Sequence, residues 1–172
     1  MKRFFNFDKE RKVLFFICVA KKSIKELNSS EQKETANNAL NACRKQIVDK
    51  KYDGELLYNY LDNEENGITL FQEMTDDNNE SSIWNCVIDA VAYSSKFAYD
   101  SLGAEYYPEP IALVDDELVD HLIKSYNNCI ADEKFIIELL DLISNANINY
   151  EFEKKSRKLV NRAQEVLLLR WL

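Results

Sequence analysis

The chain has 172 residues, of which 46% are hydrophobic and 30% are charged, and its formal net charge is −8 at pH 7. This composition excludes fibrous, disordered and membrane-spanning proteins and fits one globular domain with a sizeable core. Only three glycines and two prolines occur, whereas β-rich folds need many more turn residues. We therefore predict an all-α fold, a single domain over residues 1–172 with six to seven helices.

The N-terminal part of the chain is predicted to form a helical hairpin. Asp8 can cap a first helix that extends to about Leu27 and carries one apolar face. Ser29 and Gln32 form a capping-box pattern for a second helix that ends near Lys50. Because the connection between these helices is short, they should pack against each other.

An apolar run at Val13–Ala20 follows a basic N-terminus, as it does in a secretory signal peptide. Asp8 and Glu10 interrupt the basic segment, and Lys21 and Lys22 stand where small residues would mark a cleavage site. No apolar run reaches the roughly 18 residues of a membrane span. These observations predict a cytoplasmic protein that does not enter a membrane.

The middle of the chain contains the least polar predicted helix, from Ile83 to Leu102. Before it, a short helix should begin at Asp53, residues 68–74 should form two helical turns, and residues 62–67 and 75–82 should be polar loops. At about 100° per residue, five polar side chains of the long helix share one narrow stripe: Asn85, Asp89, Tyr93, Lys96 and Asp100. We predict a buried central helix on which the hairpin packs.

A well-marked connection follows this central helix. Gly103 is suited to the C-terminal cap, and Pro108 and Pro110 prevent immediate helix continuation. Asp115 or Asp116 is predicted to cap the next helix.

Two more helices complete the predicted architecture. The helix after the connection should end near Ile130, and Asp132 should begin another one. A last helix is predicted from about Tyr150 to the C-terminus.

Charge is segregated along the chain. Residues 1–51 have a net charge of +7, residues 52–123 of −16 and residues 124–172 of +1, and Lys96 is the only Lys or Arg of the middle segment. An acidic segment of this kind repels nucleic-acid phosphates and attracts basic protein surfaces. The alternative is that the excess charge serves only solubility. The basic hairpin could contact phosphates, but docking on the acidic middle or simple solvation is favoured.

Conventional catalytic and cofactor-binding motifs are absent from the sequence. His121 is the only histidine, and Glu117 lies four residues earlier on the same helix face, with Asp120 adjacent. These side chains could hold a metal, but a charged helix N-terminus after a proline-containing loop gives the same pattern without one, and this second interpretation is favoured. Glycines occur singly, so no phosphate-binding loop can form. The cysteines are widely spaced and predicted to be reduced and buried: Cys18, Cys43, Cys86 and Cys129. We predict no enzymatic activity, no cofactor and no metal.

The remaining functional feature is a combination of tyrosines and carboxylates. Residues 97–123 contain seven carboxylates and no Lys or Arg. Tyrosine offers a large rigid contact area, and carboxylates pair with Lys and Arg, so this segment is predicted to bind a basic protein partner. The candidate partner-binding residues are Tyr99, Glu105, Tyr106, Tyr107, Glu109, Asp115, Asp116 and Asp89.

The segment WNCVIDAVAY at 84–93, which continues through Phe97–Tyr99 and Tyr107–Ile111, resembles small all-helical immunity proteins of bacterial polymorphic-toxin systems of the contact-dependent inhibition type. The resemblance implies a protein that neutralises a cognate toxin domain, often a nuclease, by covering its active site or substrate cleft. A helical adaptor or regulatory subunit with another basic partner is the alternative function, followed by a carboxylate- or metal-dependent enzyme.

Overall fold

The computed structural model describes residues 1–145, and this part is all-helical, with 76% of its residues in helices and no strand. Its α-helices are α1 Lys2–Phe5, α2 Lys9–Ser23, α3 Ser30–Asp49, α4 Gly54–Leu61, α5 Ile68–Met74, α6 Asn78–Ser101, α7 Glu109–Ala112, α8 Leu118–Cys129 and α9 Glu133–Asn145, and a 3-10 turn at Ile24–Glu26 extends α2. The all-α prediction is confirmed. The predicted helix from Tyr150 lies outside the described residues.

Side-chain caps begin most of the predicted helices where expected. The Asp8 carboxylate accepts a hydrogen bond from the Arg11 backbone N–H at 2.9 Å, and Asp53 accepts one from Leu56 at 2.8 Å. The Ser29 hydroxyl accepts from Gln32 in the same way. Each cap satisfies a backbone donor that has no partner within the first helical turn, which explains why the starts are readable from sequence.

The long helix α6 begins earlier than predicted, because the polar segment 75–82 is not a loop throughout. The Asp77 carboxylate accepts from the backbone N–H groups of Asn79 and Glu80 at 2.7 and 3.1 Å. The Gln32 side-chain amide donates to Glu80 at 2.6 Å. A cap and one contact with α3 thus stabilise the polar first turn of α6. This turn has no apolar residue, so the apolar pattern of the sequence could not predict it.

Two short helices and one cap also differ from expectation. The helices α1 and α7 were not predicted, so the expected number of six to seven was too low. Neither Asp115 nor Asp116 is the N-cap of α8, a position that Glu117 occupies. Asp115 instead accepts from the Glu117 backbone N–H within the preceding turn at 2.8 Å, and Asp116 points to α2.

Two helices, α2 and α6, form the centre of the core. Every residue of α2 from Lys12 to Ala20 is buried, because α3, α6, α8 and α9 pack around it. The expectation of a single apolar face on this helix was therefore incomplete. Within the described part, no helix combines the length and the apolar character needed to cross a membrane.

Most of the other helices surround α6, and the N-terminal hairpin packs on it as predicted. Helix α6 contacts α2, α3, α4, α5, α7 and α8, while α2 and α3 pack together as the expected hairpin. Trp84 of α6 is fully buried and stacks on Phe71 of α5 with ring centroids 4.9 Å apart. On the opposite side, Phe16 of α2 stacks on Tyr93 at 4.4 Å. The polar stripe of α6 consequently meets the N-terminal end of α2 and the segment before α8.

Candidate functional site

An open cleft of about 470 Å³ lies where the N-terminal ends of α2 and α8 meet the C-terminal half of α6. Four carboxylates, two lysines and four apolar or aromatic side chains line it: Asp100, Asp115, Asp116, Glu117, Lys9, Lys96, Phe5, Tyr93, Phe97 and Val114. The cleft thus combines a charged rim with an apolar wall. Such a combination can hold a long side chain that has an apolar stem and a charged end.

Asp100 is the most highly connected carboxylate of the cleft. It accepts hydrogen bonds from Lys9 at 3.0 Å, from Lys96 at 2.9 Å and from the Tyr107 hydroxyl at 3.0 Å. Burial alone would raise the pKa of Asp100, but these donors outweigh it and the pKa is lowered. Asp100 is therefore ionised and neutralised within the molecule.

Asp116 links the connection to both central helices. Its carboxylate accepts from the Lys12 ammonium at 2.5 Å and from the Tyr93 hydroxyl at 2.6 Å. Burial would raise the pKa of Asp116, yet the bonds from Lys12 and Tyr93 lower it overall, whereas burial and Asp116 raise the pKa of Tyr93. Because the Lys12 side chain is only 9% exposed, Asp116 has a structural role whatever partner approaches it.

Tyr99 and Tyr107 form an aromatic pair at the edge of the cleft, with ring centroids 5.5 Å apart. The Lys96 ammonium lies 4.0 Å from the centroid of the Tyr107 ring, a cation–π contact. The Tyr99 ring lies directly against Gly54 of α4, where an added Cβ would be 2.4 Å from a ring carbon. The missing side chain at Gly54 thus decides where Tyr99 lies.

The outer part of the predicted surface is exposed. Tyr106 is 85% exposed, and Leu102 and Leu113 beside the same connection are 61% and 79% exposed. Glu105 and Glu109 are also exposed and form no ion pair within residues 1–145. Large exposed apolar and aromatic side chains that lie together are typical of interaction surfaces, and carboxylates beside them fit the polar rim of such a surface.

Asp89, the remaining predicted residue, is buried and lies one turn before Tyr93 on α6. Its carboxylate is 2.7 Å from Nδ1 of His121, whose side chain is 51% exposed. Burial raises the pKa of Asp89 against the opposing effect of His121, and the hydrogen bond to Asp89 raises the pKa of His121. A partner would therefore contact His121 rather than Asp89 itself.

The structure thus brings Asp115, Asp116, Tyr107 and Tyr99 to one cleft and its edge, and it leaves Asp89 below the surface. We call the set Tyr99, Glu105, Tyr106, Tyr107, Glu109, Asp115, Asp116 and Glu117 the acidic tyrosine surface. Sequence reasoning considered Glu117 only as a metal ligand and missed its place in this cleft, and it missed Phe5 and the lysines Lys9 and Lys12 altogether. The polar stripe of α6 was the signal in the sequence that could have found them. Its polar side chains lie on a buried helix, so they had to face polar groups of another element.

No group of three or more His, Cys, Asp or Glu side chains within residues 1–145 is arranged to hold a metal ion. The four cysteine thiols are free, and Cys18, Cys43 and Cys86 are buried. Burial raises the pKa of both Cys18 and Cys43 to about 12, so these two thiols are chemically inert at neutral pH.

The basic hairpin is engaged with the rest of the molecule in part. Lys9 and Lys12 dock on the acidic middle through Asp100 and Asp116. Lys21 instead bridges the hairpin itself by donating to Asn37 and Asn41 of α3. The two lysines nearest the N-terminus of α2 therefore bind carboxylates of the cleft.

Comparison with known proteins identifies one family. The family described as Immunity protein Imm6 matches residues 11–129, which span the chain from α2 to the end of α8. No curated protein matches. No solved structure matches. Immunity proteins inhibit toxins and are not enzymes, in agreement with the expectation from sequence. Because the match covers more than half of the chain, this protein belongs to the Imm6 family of immunity proteins.

Proposed function

We propose that the protein neutralises its cognate toxin domain by binding a basic surface of that toxin through the acidic tyrosine surface. The observation that carries this proposal is the combination, on one connection, of the 85% exposed Tyr106 with the carboxylates of Glu105 and Glu109, which form no ion pair within residues 1–145. Charge attraction would mainly speed association and select the partner, while aromatic contact would supply most of the affinity.

The cleft suggests how a single toxin side chain docks. Asp100 and Asp116 are already paired with lysines, whereas Asp115 and Glu117 form no ion pair in the described part of the chain. An arginine could lay its stem along Phe5, Phe97 and Val114 and direct its guanidinium at these two free carboxylates. We therefore propose an Arg of the toxin as the occupant of the cleft.

We propose a nuclease as the first class of toxin to test, because a nuclease binds phosphates with a cationic cleft for which carboxylates can compete. The same carboxylates repel phosphates, so direct binding of nucleic acid or of an anionic membrane is not expected. Free, buried thiols support a cytoplasmic location.

Charge reversal tests the proposed surface. The Glu105→Lys, Glu109→Lys and Asp115→Lys triple variant should slow association with the toxin domain by roughly tenfold or more at low salt and flatten its salt dependence. Association kinetics at several salt concentrations and rescue of growth on co-expression with the toxin are the measurements. Asp116 is left unchanged, because its loss would strip the buried Lys12 of its partner.

A second triple variant is the matched control. It carries Glu64→Lys, Glu65→Lys and Glu73→Lys, three exposed positions outside the cleft lining. The net charge changes by the same amount as in the first triple variant. This control should associate much faster than the first variant. Equal rates for both variants, with full protection of cells, would place the interface elsewhere, and the basic hairpin would be tested next.

Tyr106 tests the aromatic contribution separately. Tyr106→Ala should raise the dissociation rate by about 30-fold, the effect of losing roughly 2 kcal/mol at the centre of an interface. Tyr106→Phe keeps the ring and should retain most of the affinity. Because the side chain is exposed, neither change should lower the Tm.

A further inference from the structure

Helix α4 adjoins the acidic tyrosine surface through Tyr99. The Tyr99 ring packs on Gly54 of α4, where an added Cβ would be 2.4 Å from a ring carbon, and its centroid is 5.5 Å from that of Tyr107. The Ser95 hydroxyl of α6 donates to the Gly54 carbonyl oxygen at 2.8 Å, and this hydrogen bond is buried. Two contacts with α6 therefore hold the start of α4 beside the pair of Tyr99 and Tyr107.

One face of α4 has the same chemistry as that surface. Glu55, Tyr58 and Asp62 are spaced by three and four residues, so they lie on one side of the helix and its end, and we call them the α4 face. Glu55 and Asp62 are exposed, and the half-buried Tyr58 donates its hydroxyl to Asp62 at 2.7 Å. Neither Glu55 nor Asp62 forms an ion pair within residues 1–145, and residues 52–62 contain no Lys or Arg. The combination of tyrosine and carboxylates thus recurs on a second element.

The start of the α4 face lies close enough to Tyr99 to influence its hydroxyl. Burial raises the pKa of Tyr99, and the carboxylates of Glu55 and Asp53 raise it further. Water and salt screen charges that lie much more than about 10 Å away. This effect agrees with the packing of Tyr99 on Gly54, which directly precedes Glu55. The α4 face and the acidic tyrosine surface are therefore continuous.

The acidic tyrosine surface is smaller than a complete interface. A stable protein interface takes about 20–30 residues from each partner, whereas this surface comprises eight residues. A partner therefore also covers neighbouring elements. On the side of α1 and α2 the neighbours Lys2, Arg3 and Lys9 are exposed cations, which repel a basic partner, whereas the α4 face attracts one.

We propose that the toxin interface continues across Tyr99 onto the α4 face, where Glu55 and Asp62 contact a second basic segment of the same toxin. This inference rests on the proposed function, because it concerns the same partner. The two carboxylates add to the attraction that speeds association. They also extend recognition from one connection to two elements, which makes the interface specific for a toxin with two correctly spaced basic segments.

Carboxylate labelling of the full chain tests the proposal without any variant. A water-soluble carbodiimide couples glycine ethyl ester to exposed carboxylates, and peptide mapping measures the labelled fraction at each residue. The probe is the toxin domain encoded by the adjoining gene, added in excess. Binding should lower the labelling rate of Glu55 and Asp62 by roughly fivefold or more, because a covered side chain loses access to reagents in water. The exposed Glu133 of α9 should be labelled at an unchanged rate.

Charge reversal at Glu55 measures its contribution to association. Glu55→Lys should slow association by roughly threefold at low salt, and this effect should multiply with that of the triple variant of the connection, since distant charges act independently. Glu133→Lys is the matched control, because both glutamates are exposed in the first turn of a helix and the same charge is reversed. Helix α9 packs on α1 and α2, so this control should associate at nearly the rate of the parent.

The labelling pattern separates failure of this inference from failure of the proposed function. If the toxin protects Glu105 and Glu109 but not the α4 face, the extension to α4 is wrong and the proposed function is intact. Equal association rates for Glu55→Lys and Glu133→Lys would also overturn the extension. If the toxin instead protects the α4 face and leaves Glu105 and Glu109 labelled, contact at α4 is supported and the proposed binding surface is wrong.

Discussion

At the scale of single residues, the pair of Asp89 and His121 shows how burial changes the role of a side chain. The polar stripe on α6 pointed to Asp89 as a contact residue, but α8 covers it and places His121 above it. A carboxylate that is 4% exposed requires a partner, because an unpaired buried charge is costly. The exposed imidazole supplies one and makes the pair sensitive to pH.

The pH dependence of this pair has a defined sign. The pKa of His121 is raised above 6.5 in the folded protein, so its stabilising contribution is complete below pH 6.5 and disappears as the pH rises through the folded pKa. We expect a loss of about 0.5–1 kcal/mol, since half of the imidazole is exposed. Urea denaturation at several pH values would measure it.

Two variants check the assignment of this pH dependence. The His121→Asn variant has no imidazole to titrate, so its free energy of unfolding should lack the fall that the parent shows as the pH rises above 6.5. Asp120→Asn alters the neighbouring exposed carboxylate, which makes no bond to Asp89, and should keep the parent profile. An unchanged profile in His121→Asn would show that another group titrates.

At the scale of elements, helix ends determine how the acidic tyrosine surface begins. Gly103 has a φ of +64°, and the Ala104 N–H donates to the carbonyl of Tyr99 at 3.1 Å, which closes the C-terminal end of α6. Ala131 occupies a similar left-handed position after α8 with a φ of 57°. The same backbone requirement is thus met by glycine at one helix and by alanine at the other.

Exchanging these residue types gives a matched pair of stability predictions. Gly103→Ala should lower the free energy of unfolding by about 1 kcal/mol purely through the backbone, since nothing lies within 4 Å of an added Cβ. Ala131→Gly should raise it by about 0.5–1 kcal/mol. Urea denaturation with an unchanged m-value would measure both changes. If the free energy of unfolding moved in the same direction in both variants, the backbone explanation would be wrong.

At the scale of the whole molecule, the segregated charges along the chain meet in space. Lys9 and Lys12 come from the basic segment, and Asp100 and Asp116 from the acidic one. Docking of the basic hairpin on the acidic middle was one of the two favoured expectations from sequence, and these two ion pairs show it, while Asp100 also binds Lys96 of its own helix. The carboxylates of the acidic tyrosine surface that form no ion pair among the first 145 residues lie just beyond these two pairs.

Asp116 tests the contribution of this junction to stability. Its pKa is lowered in the folded protein, so its stabilising effect is present above the unfolded pKa of 3.8 and is lost as the pH falls through the folded value. Asp116→Asn should cost about 1–2 kcal/mol at pH 7, because the buried Lys12 ammonium loses its counter-charge.

The acid part of the stability profile provides the second readout. The difference in unfolding free energy between the parent and Asp116→Asn should shrink as the pH falls below 3.8. Glu117→Gln removes a nearby carboxylate that forms no ion pair in the part of the chain that the structure describes, and this change should leave stability nearly unchanged. A constant difference at all pH values would mean that shape and not charge explains the cost.

Sequence by itself determined the helical class and most helix starts, because capping side chains act within one turn of the chain. It also identified the segment of acid and tyrosine residues, since composition does not depend on packing. The sequence did not reveal that α6 begins at Asn78, because its first turn has no apolar residue. A contact with α3 supports that turn.

Only the tertiary structure decided which of these carboxylates are free. Asp116 and Asp115 are neighbours of the same chemical type, yet one holds Lys12 and the other faces the cleft. Likewise, only packing places His121 over Asp89. The physical reason is that pairing depends on groups far apart in sequence, whose distances are set by how α2, α6 and α8 pack.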